Sequence, residues 1–492
     1  MESTASARLD QAEERLQPLI LDLDHTVINT DLLYESVVVF LRREPWQFYK
    51  LGLWLMKGKA HLKEQLSRRV ELDIEHLPLN DDLITYARWE AENGRPIHLA
   101  TASHESIAHR IAERLDFIDE VHASTGTVNL KSATKAAHLK ERFPEGFQYA
   151  GDSMADVPVF AAASQAILVH PSERMERAAK ATADVKTVFP REKPTLKFGV
   201  KVLRLHQWAK NALLFVPLIL GGLSLDPTAW MAAFAGFIAL GMMASATYLI
   251  NDLWDLDADR AHWSKKFRPL ASGRLGITTA LGLIPLGIGG SLALGAAIGG
   301  DVVLALLVYL AATLTYSLYL KRVPFLDTAM LASLFTLRLG LGVVLVDVPP
   351  SPWLFVFSMF LFLSLSLAKR YTEVIRNGHK GKSKTIHGRG YTEGDDPVLM
   401  AFGSASGVAA VLVMVLYLTN EAFNATFYSM PVALWGLPVV LFLWLGRIWL
   451  MCQRQLLDDD PVVFAVKDRP SLALGGIMGL FFIFAWLGGQ IG

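Results

Sequence analysis

Cysteine is almost missing from this chain: Cys452 is the single one among 492 residues. A lone thiol excludes an intrachain disulfide and a thiolate metal site, and leaves Cys452 as a small apolar packing residue near a helix end. Excess charge of either sign is missing too. The 47 Lys and Arg balance 47 Asp and Glu, so the overall charge points neither to nucleic acid nor to an acidic partner. The first 19 residues are polar and acidic, with no apolar stretch of the signal-peptide kind, so the domain behind them is expected to stay in the cytoplasm. Apolar residues are what the chain has in excess. They make up 52% of it and the mean hydropathy is +0.32, too apolar for an ordinary soluble enzyme; part of the chain belongs in lipid.

Two halves differ in pattern. From 19 to about 188, short apolar runs (Leu19-Ile20-Leu21, Ile97-His98-Leu99-Ala100, Phe147-Gln148-Tyr149-Ala150, Ala166-Ile167-Leu168-Val169) alternate with helix-patterned polar stretches, the rhythm of a parallel α/β sheet. The charged, proline-stopped Arg191-Glu192-Lys193-Pro194 ends it. Beyond it, apolar segments long enough to cross a bilayer recur near 205–223, 229–250, 275–299, 301–320, 325–346, 353–368, 399–419, 431–450 and 471–490, about nine spans. The domains expected are an α/β domain at 1–190, a linker at 191–204 and an all-α membrane domain at 205–492. With the N-terminus inside, the loops near 250–275, 320–324, 369–397 and 451–470 face the cytoplasm and carry many Lys and Arg, Lys380, Lys382 and Lys384 among them. The opposite loops, near 224–228, 299–301, 347–352 and 420–430, carry none. The positive-inside rule therefore predicts a multi-pass protein of the inner membrane with its α/β domain in the cytoplasm.

Asn251-Asp252-Leu253-Trp254-Asp255-Leu256-Asp257-Ala258-Asp259-Arg260 follows an apolar span directly. Asp252, Asp255 and Asp259 are spaced by three and four, so on a continuing helix three carboxylates share one face. Like charges that close favour a cation among them, and oxygen-only donors suit Mg²⁺ bridging carboxylates to substrate phosphates. A solvated acidic loop capping the span is the alternative. The segment resembles the NDxxDxxxD signature of the UbiA-type intramembrane prenyltransferases, and residues 262–273, which include Arg268, look like the segment that follows it in that family. The resemblance covers the membrane half. It implies that Asn251, Asp252, Asp255 and Asp259 hold Mg²⁺ on a diphosphate whose departure leaves a carbocation for an acceptor; Asp257 lies outside the pattern.

A second aspartate-rich DxxxD motif, usual in that family after the sixth span, is missing. The chain reads Ala368-Lys369-Arg370-Tyr371-Thr372-Glu373-Val374-Ile375-Arg376 and then Arg389-Gly390-Tyr391. A basic segment suits a phosphate bound without a second metal, with ordinary positive-inside charge as the alternative for each residue. Together with Arg204-Leu205-His206-Gln207-Trp208-Ala209-Lys210-Asn211, this is similar to the polyprenyl-phosphate phosphoribosyltransferase branch. That likeness implies phosphoribosyl pyrophosphate as donor and a lipid phosphate as nucleophile, with Lys210, Arg268, Lys321, Lys369, Arg370, Glu373 and Arg389 as substrate contacts. Asp327 and Arg338 are ionisable groups at or in a span, functional by default, and are expected at the donor site.

In the first half, Asp22-Leu23-Asp24-His25-Thr26 ends an apolar strand, where α/β sheets place ligands. One carboxylate there can attack phosphorus while the other protonates the leaving oxygen. Thr101 follows the run 97–100, Lys135 opens a helix with Lys131 as the alternative lysine, and Gly151-Asp152-Ser153-Met154-Ala155-Asp156 follows the run 147–150. In that order these resemble the four motifs of the haloacid dehalogenase-like phosphatases, over residues 18–190. The resemblance implies a Rossmann-like fold with a helical cap at about 34–93. It assigns Asp22 as nucleophile, Asp24 as acid/base, Thr101 and Lys135 to the transferring phosphoryl group, and Mg²⁺ to Asp22, Asp24, Asp152 and Asp156. Residues 45–57 of the insert mix aromatics, aliphatics and lysines as interfacial helices do; plain cap core is the alternative.

Joined, the two resemblances imply a bifunctional membrane enzyme. Its membrane half would make polyprenyl-phosphoryl 5-phosphoribose, and its soluble half would remove the 5-phosphate. The rivals are a conventional prenyltransferase acting on an aromatic acceptor, which a DxxxD motif would have favoured, and a lipid or ion carrier with a regulatory domain. Carriers place ionisable groups at mid-membrane, whereas this acidic cluster lies at a span end.

Overall fold

A computed structural model describes residues 17–125, 129–378, 389–457 and 461–487. Lys380, Lys382 and Lys384 of the basic loop lie outside the described residues.

Six strands, β1 (Leu19–Leu21), β2 (Ile97–His104), β3 (Glu120–Ser124), β4 (Gln148–Gly151), β5 (Gln165–Val169) and β6 (Val185–Phe189), form one sheet in the order β3-β2-β1-β4-β5-β6. Every pairing is parallel. Parallel strands need crossovers that cover both faces, so their residues are apolar on both sides. In β1, Leu19 and Leu21 enter one core and Ile20 the other. The strand order reverses at β1 and β4, whose carboxyl ends carry Asp22 and Asp152; such a crevice is where open α/β sheets bind ligands.

Between β1 and β2 the chain is helical: Leu32–Arg43, Phe48–Met56, Lys59–Ser67 and Asp81–Glu92. Asp31 starts the first of these by accepting the amides of Leu33 and Tyr34, a side-chain cap for otherwise orphaned donors.

The C-terminal half makes the protein a multi-pass membrane protein. Among the described residues, 8 helices are long and apolar enough to cross a bilayer: Pro227–Trp254, Ile277–Ile298, Gly300–Leu318, Leu326–Val346, Pro352–Arg376, Asp396–Asn424, Pro431–Gln453 and Arg469–Leu487. The expected span near 205–223 is not among them. It forms a 3₁₀ helix, Leu205–Phe215, and a five-residue α-helix, Val216–Leu220, with Pro217 in its first turn. A Cβ on Gly342 would stand 2.3 Å from the Leu214 carbonyl, so the helix Leu326–Val346 packs against this segment's backbone.

Contacts divide the chain into two compact units, Met1–Val202 with Asp252–Leu283, and Leu203–Asn251 with Ile284–Gly492. A single cut at 190–205 does not describe this division: residues 252–283, which carry the membrane aspartates, are built into the unit of the α/β sheet.

Candidate functional site

At the carboxyl ends of β1 and β4, ligand oxygens of Asp22, Asp152 and Asp156 lie within 4.8 Å of one another. Lys135 Nζ donates to Asp22 Oδ1 at 2.9 Å and to the Tyr149 hydroxyl at 2.8 Å, and stands 3.6 Å from Asp156. Tyr149 donates in turn to Asp156, which also accepts from the Ser153 amide and hydroxyl. Gly151 is required here, since a Cβ would meet the Tyr149 ring at 2.8 Å and the Asp156 carboxyl at 3.1 Å. Lys131 is exposed, so Lys135 is the lysine at this site. Thr101 is buried inside β2 and accepts the Ser103 amide.

Asp24 departs from the expected metal set. Its carboxylate accepts from the Leu32 amide at 2.8 Å and the Ser103 hydroxyl at 2.8 Å, which turns it out of the Asp22 trio and beside it. Ser103, Tyr149 and Thr26, whose hydroxyl lies 3.5 Å from Asp152, escaped the sequence reading because nothing in a strand pattern separates a bonded hydroxyl from a packed one.

Burial and crowding of like charge set the protonation. Burial pushes Asp22 up to about 7, against the pull of Lys135, and Asp152 up to about 8. Burial also raises Asp24. Lys135 is held above its ordinary value: burial works against its charge, but Asp22 and Asp156 outweigh it. A hard divalent ion fits these oxygen donors and would relieve their repulsion. Because Asp22 and Asp152 titrate higher folded than unfolded, their contribution to stability is complete below the unfolded value near 4 and is lost as pH rises through 7 to 8. The thermal midpoint in chelator should therefore fall between pH 5 and 8, and Mg²⁺ should raise it more at pH 8 than at pH 5. Thermal scans of the full chain in detergent would refute this if the Mg²⁺ effect ignored pH.

The membrane aspartates are arranged otherwise than expected. The helix Pro227–Trp254 stops before Asp255, whose φ of −96° and ψ of 11° start a new helix, Leu256–Ala261. The three carboxylates therefore do not lie on one unbroken helix, and among the described residues they do not gather within 4.8 Å of one another as the Asp22 trio does. Arg268 instead ion-pairs with Asp259 and reaches Asp252 at 3.3 Å. The donors are still hard oxygens that suit Mg²⁺, with the partly exposed Arg268 as the group that would give way.

Within the same unit this loop is clasped by the α/β domain. Arg260 Nη1 and Nη2 donate to the two carboxylate oxygens of Glu35 at 3.0 and 2.6 Å, and Nε donates to the Ala271 carbonyl at 3.2 Å. Both side chains are under 5% exposed. Thr30 donates to Glu35 as well, and Arg42 pairs with Asp257. Gly273, at φ +73°, lies so close to Asn29 that a Cβ would stand 2.3 Å from its carbonyl oxygen. Glu35 sits on the helix Leu32–Arg43, whose first amide holds Asp24. Removing one partner of a buried ion pair costs about 3–5 kcal/mol, so Arg260→Ala should lower the thermal midpoint clearly. The double variant Arg260→Met/Glu35→Leu should recover part of it; equal losses in both would refute the pairing.

In the second unit, fully buried Asp327 accepts from Arg370 Nε at 2.6 Å and the Tyr391 hydroxyl at 2.7 Å. Arg370 also pairs with Glu373. Arg389 donates to the Tyr316 hydroxyl at 3.0 Å and the Lys321 carbonyl at 3.2 Å, and its guanidinium lies 4.0 Å from Asp327. Asp327, Arg370, Glu373 and Arg389 thus form one network, and Lys321 Nζ donates to the side-chain amide oxygen Oδ1 of Asn251 at 3.4 Å. Arg370 Nη2 is buried without a hydrogen bond. Arg338 gives its donors to Asn211, Leu334 and Tyr309, which makes it a tie between packed elements. Lys210 lies over the Phe335 ring at 5.9 Å; Lys369 directly precedes Arg370 on the helix Pro352–Gly378.

Residues 213–465 match the UbiA prenyltransferase family, and residues 19–161 match haloacid dehalogenase-like hydrolase. A protein of Sinorhizobium fredii described as uncharacterized, y4nM, is 41% identical over 477 residues, 96% of this chain and 92% of that one. The decaprenyl-phosphate phosphoribosyltransferase of Corynebacterium glutamicum is 35% identical over 186 residues, 37% of this chain and 56% of its own length. A solved UbiA homolog from Archaeoglobus fulgidus, bound to DMAPP and Mg²⁺, has a TM-score of 0.45 at 15% identity, over 60% of this chain and 99% of that one.

Proposed function

We propose that this chain, which belongs to the UbiA prenyltransferase family and carries a haloacid dehalogenase-like hydrolase domain, transfers 5-phosphoribose from phosphoribosyl pyrophosphate to a polyprenyl phosphate and then removes the 5-phosphate. The observation that carries the phosphoribosyl reading is the basic network where the family usually has aspartates. There the buried guanidinium of Arg370 keeps one nitrogen unbonded, a donor suited to a phosphate oxygen. The partial likeness to curated phosphoribosyltransferases supports the same donor.

In the transfer, the bond from ribose C1 to pyrophosphate breaks as the lipid phosphate oxygen bonds to C1. The nucleophile is already an anion, so no strong base is needed. Asn251, Asp252, Asp255 and Asp259 would hold Mg²⁺, which when bound would supply charge to neutralise the departing pyrophosphate. Lys321, Lys369, Arg370 and Arg389 would orient the lipid phosphate.

In the hydrolysis, an Asp22 oxygen attacks phosphorus, and the ribose 5-oxygen leaves with a proton from Asp24. Burial favours the protonated form of Asp24 and so suits it as the acid. Lys135 balances the charge of Asp22, and Asp152 and Asp156 complete the oxygen donors for Mg²⁺. Water then attacks the aspartyl phosphate, giving its proton back to Asp24. Both sites are read as cytoplasmic, which would give the tethered phosphatase a high effective concentration of product.

Incubating the purified chain with phosphoribosyl pyrophosphate and decaprenyl phosphate tests both steps by mass spectrometry. Absence of any ribosylated lipid would sink the transfer, and a 5-phosphate that persists in it would sink the hydrolysis.

A further inference from the structure

A second constellation of metal-ligating atoms lies on the sheet, apart from the Asp22 trio. His98 on β2 is paired in register with Glu120 on β3, and His122 follows two residues later, in register with Ala100. Side chains two apart on a strand share a face, so two imidazoles and a carboxylate project together. His98 Nδ1 is 3.5 Å from Glu120 Oε2, His122 Nε2 is 3.9 Å from the same oxygen, and one ligand atom from each of the three residues lies within 4.8 Å of the other two. Ligands 2.0–2.2 Å from a tetrahedral ion stand roughly 3.3–3.6 Å apart, so small movements would close the set.

The nitrogens are the second observation. His98 and His122 are 8% and 7% exposed, yet His98 Nδ1 and His122 Nε2 make no hydrogen bond. Buried polar atoms left in that state are uncommon and point to a missing partner. The other nitrogen of His122, Nδ1, is 3.2 Å from His138 Nε2, the kind of contact that fixes a ligand's tautomer in metal sites. Burial holds both imidazoles below their ordinary value. Phe143 closes one side, its ring 5.0 Å from His98 and 5.7 Å from His122. Glu120 and the exposed His138 leave the other side open to water as a further ligand. Arg142 also donates to Glu120 Oε2 at 3.2 Å and would have to turn outward, which its exposed side chain permits.

We propose that His98, Glu120 and His122 form a binding site for a first-row divalent cation of the zinc type. Imidazole nitrogens select such ions over Mg²⁺, so this site and the Asp22 trio would take different metals. The ion would fasten edge strand β3 to β2 beneath the helix Ala133–Arg142, the helix that carries Lys135.

The test uses the full chain in detergent, tag removed and stripped with chelator, then titrated with Zn²⁺ in the presence of excess Mg²⁺ and checked by elemental analysis. One equivalent of Zn²⁺ should bind in the wild type and in Asp22→Asn, and be lost in His98→Ala and His122→Ala. Should those variants fail to fold, Glu120→Gln, at a partly exposed position, should weaken Zn²⁺ at least tenfold while Mg²⁺-dependent phosphatase activity persists. With Co²⁺ instead, visible absorption should appear in the wild type and fade in His122→Ala. No Zn²⁺ bound at micromolar free metal, or binding untouched by all three substitutions, overturns the site. Neither result bears on whether the two enzymatic activities exist.

Discussion

Asp22→Asn should leave lipid ribosylation intact while lowering phosphatase turnover by about 10⁴-fold or more, the usual scale for loss of a covalent nucleophile. The amide keeps the size of the side chain and can still meet Lys135, so the fold should survive. It cannot attack phosphorus. The product pool should therefore move from ribosylated lipid to its 5-phosphate, read directly as a phosphate added to the lipid mass. Asp24→Asn would act differently, because it removes the proton for the leaving oxygen and leaves the nucleophile in place. If ribosylated lipid without the 5-phosphate still accumulated in Asp22→Asn at the wild-type rate, the N-terminal site would not be the phosphatase of this sequence of reactions.

Asp252→Asn should have the opposite signature. Asp252 is buried, shares Arg268 with Asp259, and supplies one of the carboxylates assigned to the diphosphate. Losing one anionic ligand where leaving-group charge is neutralised should slow transfer by about 10³-fold. Hydrolysis of a soluble phosphate monoester by the same protein should be unchanged. A common loss of both activities would instead mean that the substitution disturbed the loop that Arg260 and Gly273 hold against the α/β domain. Circular dichroism and thermal scans separate that outcome from a catalytic one.

The sequence carried the sheet well, because parallel strands buried on both faces appear as continuous apolar runs, and Asp22, Lys135 and Asp156 fall at their ends or on the next helix. What it could not carry was direction. Asp24 reads as a partner of Asp22 at spacing two, and only the Leu32 amide and Ser103 hydroxyl show it turned aside. The spacing of Asp252, Asp255 and Asp259 assumed an unbroken helix, and the break at Asp255 has no proline or glycine to announce it. The segment 205–223 is apolar enough to span, but hydropathy does not distinguish a 3₁₀ helix from an α-helix. Glu35 and Arg260 were invisible for a simpler reason: 225 residues separate them, and no local pattern relates two charges at that distance.

That last pair bears on how such a chain can be recombined. A fusion joined only by its linker could exchange either half like a cassette. Here residues 252–283 are finished by the other domain, since Glu35 closes Arg260 and the Asn29 carbonyl fits Gly273. Excising the first 190 residues would strip this loop of its partners, leaving a guanidinium without Glu35 and a glycine shaped for an absent Asn29. The join is thus written into two positions far from it, and a transplant that ignores Arg260 and Gly273 would carry the scar.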